Sequence, residues 1–107
     1  MSDDLALYET DGDIGIVTMN RPEKLNAVSH ELRTAVSDAL IRADDDETVN
    51  VVILRAAGRA FCVGYDIDND TPERAARRYD ALKWREALTG DLKFEMIPWY
   101  MRKPVIA

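Results

Sequence analysis

The sequence predicts an α/β domain, and three observations carry that expectation: two short apolar runs joined by a glycine turn, a segment with helical apolar spacing, and the β-branched run Val51–Leu54, which ends in a glycine-flanked loop. The first two strands are Leu5–Tyr8 and Ile14–Met19, with Asp11-Gly12-Asp13 supplying the turn chemistry of a hairpin. Asn20-Arg21-Pro22 stops the second strand, because proline has no N–H to donate and holds the residue before it extended. Ser29 is the N-cap of a helix over His30–Ala43, whose Leu32, Ala35, Val36, Ala39, Leu40 and Ala43 fall on one stripe. Asp44-Asp45-Asp46-Glu47 reads as a solvated post-helix turn rather than a metal site, since adjacent carboxylates splay to different sides. His30 reads as a solvated first-turn residue rather than a catalytic base.

Past the loop, Thr71-Pro72-Glu73 has the capping hydroxyl, first-position proline and first-turn acid of a helix opening. The helical region extends to about Arg102, with Gly90-Asp91 expected to break it and Pro98 to bend or end its second part. Arg74, Arg77 and Arg78 read as a solvated face pairing with Glu73 and Asp80, with a ligand phosphate as the sharper alternative. Trp84 and Trp99 read as core or subunit-contact residues. Pro104–Ala107 starts another strand, so residues 1–107 are expected to be the N-terminal portion of a single domain that continues past Ala107.

Composition narrows the function. No apolar run approaches the length of a membrane span, and the acidic opening Met1-Ser2-Asp3-Asp4 lacks the basic start of a signal peptide; the expectation is a cytoplasmic protein with no membrane partner. Cys62 and His30 are the sole cysteine and histidine of the chain, which argues against a disulfide framework and against a thiolate or imidazole metal site. Residues 1–50 hold 12 acids against 4 bases and residues 51–107 hold 8 against 10, an asymmetry that argues against a nucleic-acid surface in the first half and suits an anionic ligand beside the second.

The loop Gly58-Arg59-Ala60-Phe61-Cys62-Val63-Gly64-Tyr65-Asp66-Ile67 contains no histidine, serine or lysine, so chemistry there would have to come from backbone N–H groups. Oxyanion holes work this way, with pre-aligned amides stabilising negative charge on a carbonyl oxygen. A tight strand-to-helix connection is the plainer alternative.

Four segments in order resemble the enoyl-CoA hydratase/isomerase (crotonase) family. Asn20–Val28 resembles its N-R-P-x-x-x-N-A-L segment and Val51–Arg55 its V-V-I-L-x-G strand; Ala60–Ile67 resembles its A-F-(S/A/C)-A-G-x-D-(L/I) loop and Lys103–Ala107 its K-P-V-I-A segment. Val63 departs from the usual alanine, Ala56-Ala57 precede Gly58 where the family often has an earlier glycine, and Tyr65 is bulky where many members have alanine. The resemblance implies a crotonase-like spiral of ββα units, an acyl-CoA thioester substrate, and an enolate oxygen stabilised by two backbone amides. It implies that the Tyr65 N–H is one of these donors and that the second donor and the acid/base carboxylates lie after Ala107.

Carried over by position, the resemblance places Lys24, Leu25, Ala27, Val63, Gly64, Asp66 and Ile67 along the coenzyme A site. Coenzyme A would enter as part of the substrate, with no separate cofactor, and the assembly would be a homotrimer or a dimer of trimers. Hydration, isomerisation, thioester hydrolysis, dehalogenation and C–C cleavage all remain open, as does a non-catalytic acyl-CoA-binding or assembly module. A nucleotide-binding domain is disfavoured, because the loop has neither G-x-G-x-x-G nor GK[ST].

Overall fold

The computed structural model describes residues 4–65 and 81–107, with Ala81, Lys83, Trp84 and Ala87 described by backbone alone. Alternating apolar side chains and a tight turn form the first hairpin: β1 (Ala6–Asp11) pairs antiparallel with β2 (Ile14–Met19) in the register Ala6↔Met19 to Asp11↔Ile14. β1 therefore runs to Asp11, three residues past the expected Tyr8, because the turn needs only Gly12 and Asp13. Gly12 supplies the positive φ, at 61°.

From Met19 the chain passes a one-turn 3-10 helix (Pro22–Lys24) and enters α1 (His30–Asp45). Ser29 caps α1 as expected: its Oγ accepts the Leu32 N–H at 3.1 Å. The helix runs two residues beyond Ala43, with Lys103 capping its far end. That ammonium donates to the Ala43 carbonyl at 2.8 Å and also to the Asp46 carbonyl, where the helix dipole favours a cation. Arg102 pairs with Asp44 and Asp45, and Asp46 accepts from Tyr8 and Thr48, so protein partners take up these acids.

The chain returns in β3 (Val51–Ala56), parallel to β2 with Gly15 opposite Val52 and Val17 opposite Leu54. α2 (Ala81–Tyr100) precedes β4 (Val105–Ile106), which lies parallel to β3 through Val52↔Val105. The four strands order β1-β2-β3-β4. Period-two alternation puts Val17 and Met19 of β2 and Val52 of β3 on the face that α1 covers with Leu32, Val36, Ala39, Leu40 and Ala43. Phe94, Ile97 and Met101 add the α2 side of this core.

One expectation about α2 fails. Gly90-Asp91 does not break the helix, because Gly90 sits where a Cβ would come within 3.0 Å of the Arg33 guanidinium; its lack of a side chain admits Arg33 and lets α2 pack on α1. Pro98 lies inside the helix, which continues to Tyr100 and closes with the Met101 N–H on the Ile97 carbonyl at 3.1 Å. Trp99 is 77% exposed and is not part of the core among the described residues. Among the described residues no helix is long and apolar enough to cross a membrane. The expected helix opening at Thr71, the basic trio Arg74, Arg77 and Arg78, and the site residues Asp66 and Ile67 lie outside the described residues.

Candidate active site

The site is built where two loops meet at the ends of the parallel strands. The Ala57 N–H donates to the Met19 carbonyl at 2.8 Å and draws the loop after β3 against the loop after β2. Gly58, at φ 86°, then passes so close to Pro22 that a Cβ would lie 2.7 Å from the proline Cβ. On the other side Leu25 and Asn26 are both left-handed, at φ 53° and 56°. The Leu25 N–H donates to the Pro22 carbonyl and the Asn26 N–H to the Arg21 carbonyl, which coils residues 21–27 into a compact corner. The Arg21 guanidinium donates to the Ala27 carbonyl at 2.7 Å and holds that corner shut.

Asn26 joins the two loops. It is fully buried, its Oδ1 accepts the Arg21 N–H at 2.8 Å, and its Nδ2 donates at 2.9 Å to both the Ala57 and the Ala60 carbonyls. The sequence motif contains Asn26, but sequence reasoning gave it no role. The available signal was an asparagine after Leu25 in a turn, a residue type that tolerates left-handed backbone and bonds neighbouring main chain.

Beyond that hub, Val28 and Tyr65 form a parallel bridge in which the Val28 N–H donates to the Gly64 carbonyl at 2.8 Å. Gly64 O and the Tyr65 N–H belong to one trans peptide plane and point in opposite directions. The bond to Val28 therefore aims the Tyr65 N–H away from the Val28 chain, and it takes no partner among the described residues. The preceding amide, Gly64 N–H, turns instead to Cys62 Sγ at 3.4 Å. Around Gly64, at φ 108°, an added Cβ would meet nothing within 4 Å among the described residues.

The expected site residues fall on the two sides of this bridge. Lys24 is exposed at the end of the 3-10 helix, and Leu25 and Ala27 are half-buried in the corner. Val63, Gly64 and Tyr65 are exposed in succession on the facing loop. Partial burial, and after it the nearby carboxylates of Glu95 and Asp91, push the Tyr65 phenol up to about 12. Arg33 pairs with Asp91 at 2.7 Å and lies 3.0 Å from His30 Nδ1, so His30 is an exposed neighbour of an arginine at the start of α1. Among the described residues no group of three or more His, Cys, Asp or Glu side chains could hold a metal ion.

The two loops thus meet in an α/β unit whose strand-end loop carries a main-chain amide turned away from its neighbouring chain. The sequence profile of the enoyl-CoA hydratase/isomerase family matches residues 9–107, and the chain belongs to that family. It is 36% identical over 67 residues to a probable enoyl-CoA hydratase of Mycobacterium bovis, an alignment covering 63% of this chain and 26% of the relative. It is 38% identical over 61 residues to a 3-hydroxyisobutyryl-CoA hydrolase of Arabidopsis thaliana, covering 57% of this chain and 16% of that one. Its fold superposes on the crystal structure of an enoyl-CoA hydratase/isomerase from Xanthobacter autotrophicus Py2 with a TM-score of 0.82 and 35% identity, over 94% of this chain and 36% of that chain. The fold is thus the crotonase α/β fold, and the chain spans about a quarter of the length of the curated hydratases it matches.

Proposed function

We propose that the protein processes acyl-CoA thioesters and that the Tyr65 N–H donates a hydrogen bond to the thioester oxygen. Enoyl-CoA hydration is the reaction that the hydratases among its relatives suggest. When water adds at C3 of an enoyl thioester, the electron pair of the C2=C3 bond moves to C2 and onto the carbonyl oxygen. An amide aimed at that oxygen stabilises the enolate more than the ground state, and protonation at C2 completes the addition. The single observation supporting this reading is the fixed peptide plane: the Val28 N–H holds the Gly64 carbonyl and so directs the Tyr65 N–H away from the Val28 chain. In this reading Lys24, Leu25 and Ala27 border the coenzyme A portion from the facing corner and Val63 and Gly64 from the loop itself, and the family resemblance adds Asp66 and Ile67, which lie outside the described residues.

The test separates backbone from side chain. Tyr65→Pro removes the N–H while leaving the Val28–Gly64 bond possible, because the bridge uses the Gly64 carbonyl and not the Tyr65 N–H. Its turnover of crotonyl-CoA, followed by loss of the enoyl absorbance, is expected to fall about 10²- to 10³-fold. Tyr65→Ala keeps the donor and should stay within about tenfold of the parent. If Tyr65→Ala is as inactive as Tyr65→Pro while both bind a CoA ester normally, the phenol is the working group and the backbone reading is wrong. Resemblance to a CoA-thioester hydrolase favours thioester hydrolysis as the second reading, and it is distinguished by release of free CoA thiol in the same assay.

A further inference from the structure

The loop that leads to Tyr65 is tied at both ends to one short stretch of chain. At its start the Ala60 carbonyl accepts from Asn26 Nδ2 at 2.9 Å, and at its end the Gly64 carbonyl accepts from the Val28 N–H at 2.8 Å. Between the two ties, among the described residues, the main chain of the loop makes one weak contact, the Gly64 N–H on Cys62 Sγ at 3.4 Å. Phe61 and Val63 are 48% and 59% exposed, so Cys62 alone of the three intervening side chains packs toward the core.

One hydrogen bond at Gly64 would leave the loop free to pivot about Val28. A second bond four residues earlier removes that freedom, because both donors sit on one rigid frame. The Asn26 N–H donates to the Arg21 carbonyl at 2.9 Å and its Oδ1 accepts the Arg21 N–H at 2.8 Å, while Val28 is buried in the core beside the Ser29 that caps α1. The other Nδ2 bond, to the Ala57 carbonyl at 2.9 Å, fixes the strand side of the loop to the same fully buried amide. A donor that drifts from its acceptor loses transition-state stabilisation steeply.

The corner facing this loop is closed by other bonds. The Leu25 N–H donates to the Pro22 carbonyl and the Arg21 guanidinium to the Ala27 carbonyl, and neither uses the Asn26 side chain. Removing that side chain therefore loosens the loop against the corner and leaves the corner shut.

We propose that Asn26 is a positioning residue: through the Ala60 carbonyl it works with Val28 to hold the Tyr65 N–H at a fixed place against the corner of Lys24, Leu25 and Ala27. The inference rests on the reading of that N–H as the thioester donor. Asn26 touches no reacting atom in this scheme.

The test uses Asn26→Gly, which deletes the amide and accepts the φ of 56° without strain. Its kcat with crotonyl-CoA should fall about 5- to 30-fold, the range of one or two net hydrogen bonds, while affinity for the saturated ester butyryl-CoA stays within about threefold of the parent. The same substitution added to Tyr65→Pro should lower kcat less than about twofold further, since the donor it positions is already gone; a general loss of structure would lower both backgrounds by the same factor. An ester in place of the Ala60–Phe61 amide weakens the Ala60 carbonyl as an acceptor and leaves Asn26 intact. It should lower kcat about 2- to 5-fold, again only where the Tyr65 N–H is present, and it decides the question if Asn26→Gly does not fold. A parental kcat in Asn26→Gly, an equal fall in both backgrounds, or a butyryl-CoA affinity that falls in step with kcat would each overturn the positioning role. Parental turnover in Tyr65→Pro alone shows instead that the donor reading has failed, and the positioning role falls with it.

Discussion

Replacing Asn26 with aspartate changes one group and should separate the two loops of the site. The side chain is fully buried, and its amide donates at 2.9 Å to the carbonyls of Ala57 and Ala60. In Asn26→Asp the oxygen facing Arg21 N–H keeps its bond, while the other oxygen faces two carbonyl oxygens with no proton between them. Two hydrogen bonds of about 1 kcal/mol each are lost. An uncompensated buried charge adds to this, and removing one partner of a buried charged or polar pair costs about 3–5 kcal/mol. A loss near 4 kcal/mol at pH 7 would consume a large part of the ~5–15 kcal/mol that stabilises a typical domain.

The sign of the pH dependence follows from the same geometry. Burial against two carbonyls raises the introduced carboxyl above its unfolded value of about 3.9. The penalty is therefore complete above the raised value and shrinks as pH falls toward about 4, where the protonated acid regains one donor. Urea denaturation of parent and variant from pH 4 to pH 8 measures the difference at each pH. A variant as stable as the parent at pH 7, or a deficit that does not shrink in acid, would refute the account of Asn26 as the bond between the loops.

Three other outcomes follow from the geometry. Gly58→Ala should cost roughly 1–3 kcal/mol, since φ 86° is strained for alanine and the new methyl would lie 2.7 Å from Pro22, whereas Gly64→Ala meets only the backbone strain; melting of the two variants should order them that way. Tyr8 is pushed up to about 12 by burial and then by its bond to Asp46, as Tyr65 is by burial and then Glu95, so both should ionise late in a spectrophotometric titration. Their stabilising contribution is present below pH 10 and lost as pH rises through about 12, and Tyr8→Phe or Tyr65→Phe should each delete one late-titrating group. Asp46 is held at about 2 by the hydrogen bonds of Thr48 and Tyr8, so its contribution is present above its ordinary 3.8 and lost as pH falls through about 2; Asp46→Asn should flatten acid unfolding in that window.

Local chemistry was readable from the sequence and long-range chemistry was not. Ser29, the stripe from Leu32 to Ala43 and the glycine turn at Gly12 declare themselves within a few residues, and α1 and the first hairpin follow them closely. Gly90 misled because helix propensity counts the entropy cost of glycine, while what admits it here is Arg33 from another helix. Pro98 sits inside α2 two residues before its end, with Phe94 and Ile97 of the helix and Met101 just past it packed against the core. The loop residues Val63, Gly64 and Tyr65 were identified through resemblance. What orients them, the Asn26 bonds to Ala57 and Ala60 and the Val28 bond to Gly64, joins residues more than 30 positions apart and leaves no periodic trace.

The claim that the main chain of Tyr65 binds the thioester oxygen is tested most directly by replacing the Gly64–Tyr65 amide with an ester, which exchanges the N–H for an oxygen and leaves the phenol in place. The ester also weakens the carbonyl that Val28 holds, so affinity for a saturated acyl-CoA is measured alongside turnover to show that the loop remains formed. The account predicts a fall in crotonyl-CoA turnover of about 10²- to 10³-fold with that affinity reduced far less. Turnover within about threefold of the parent would contradict it.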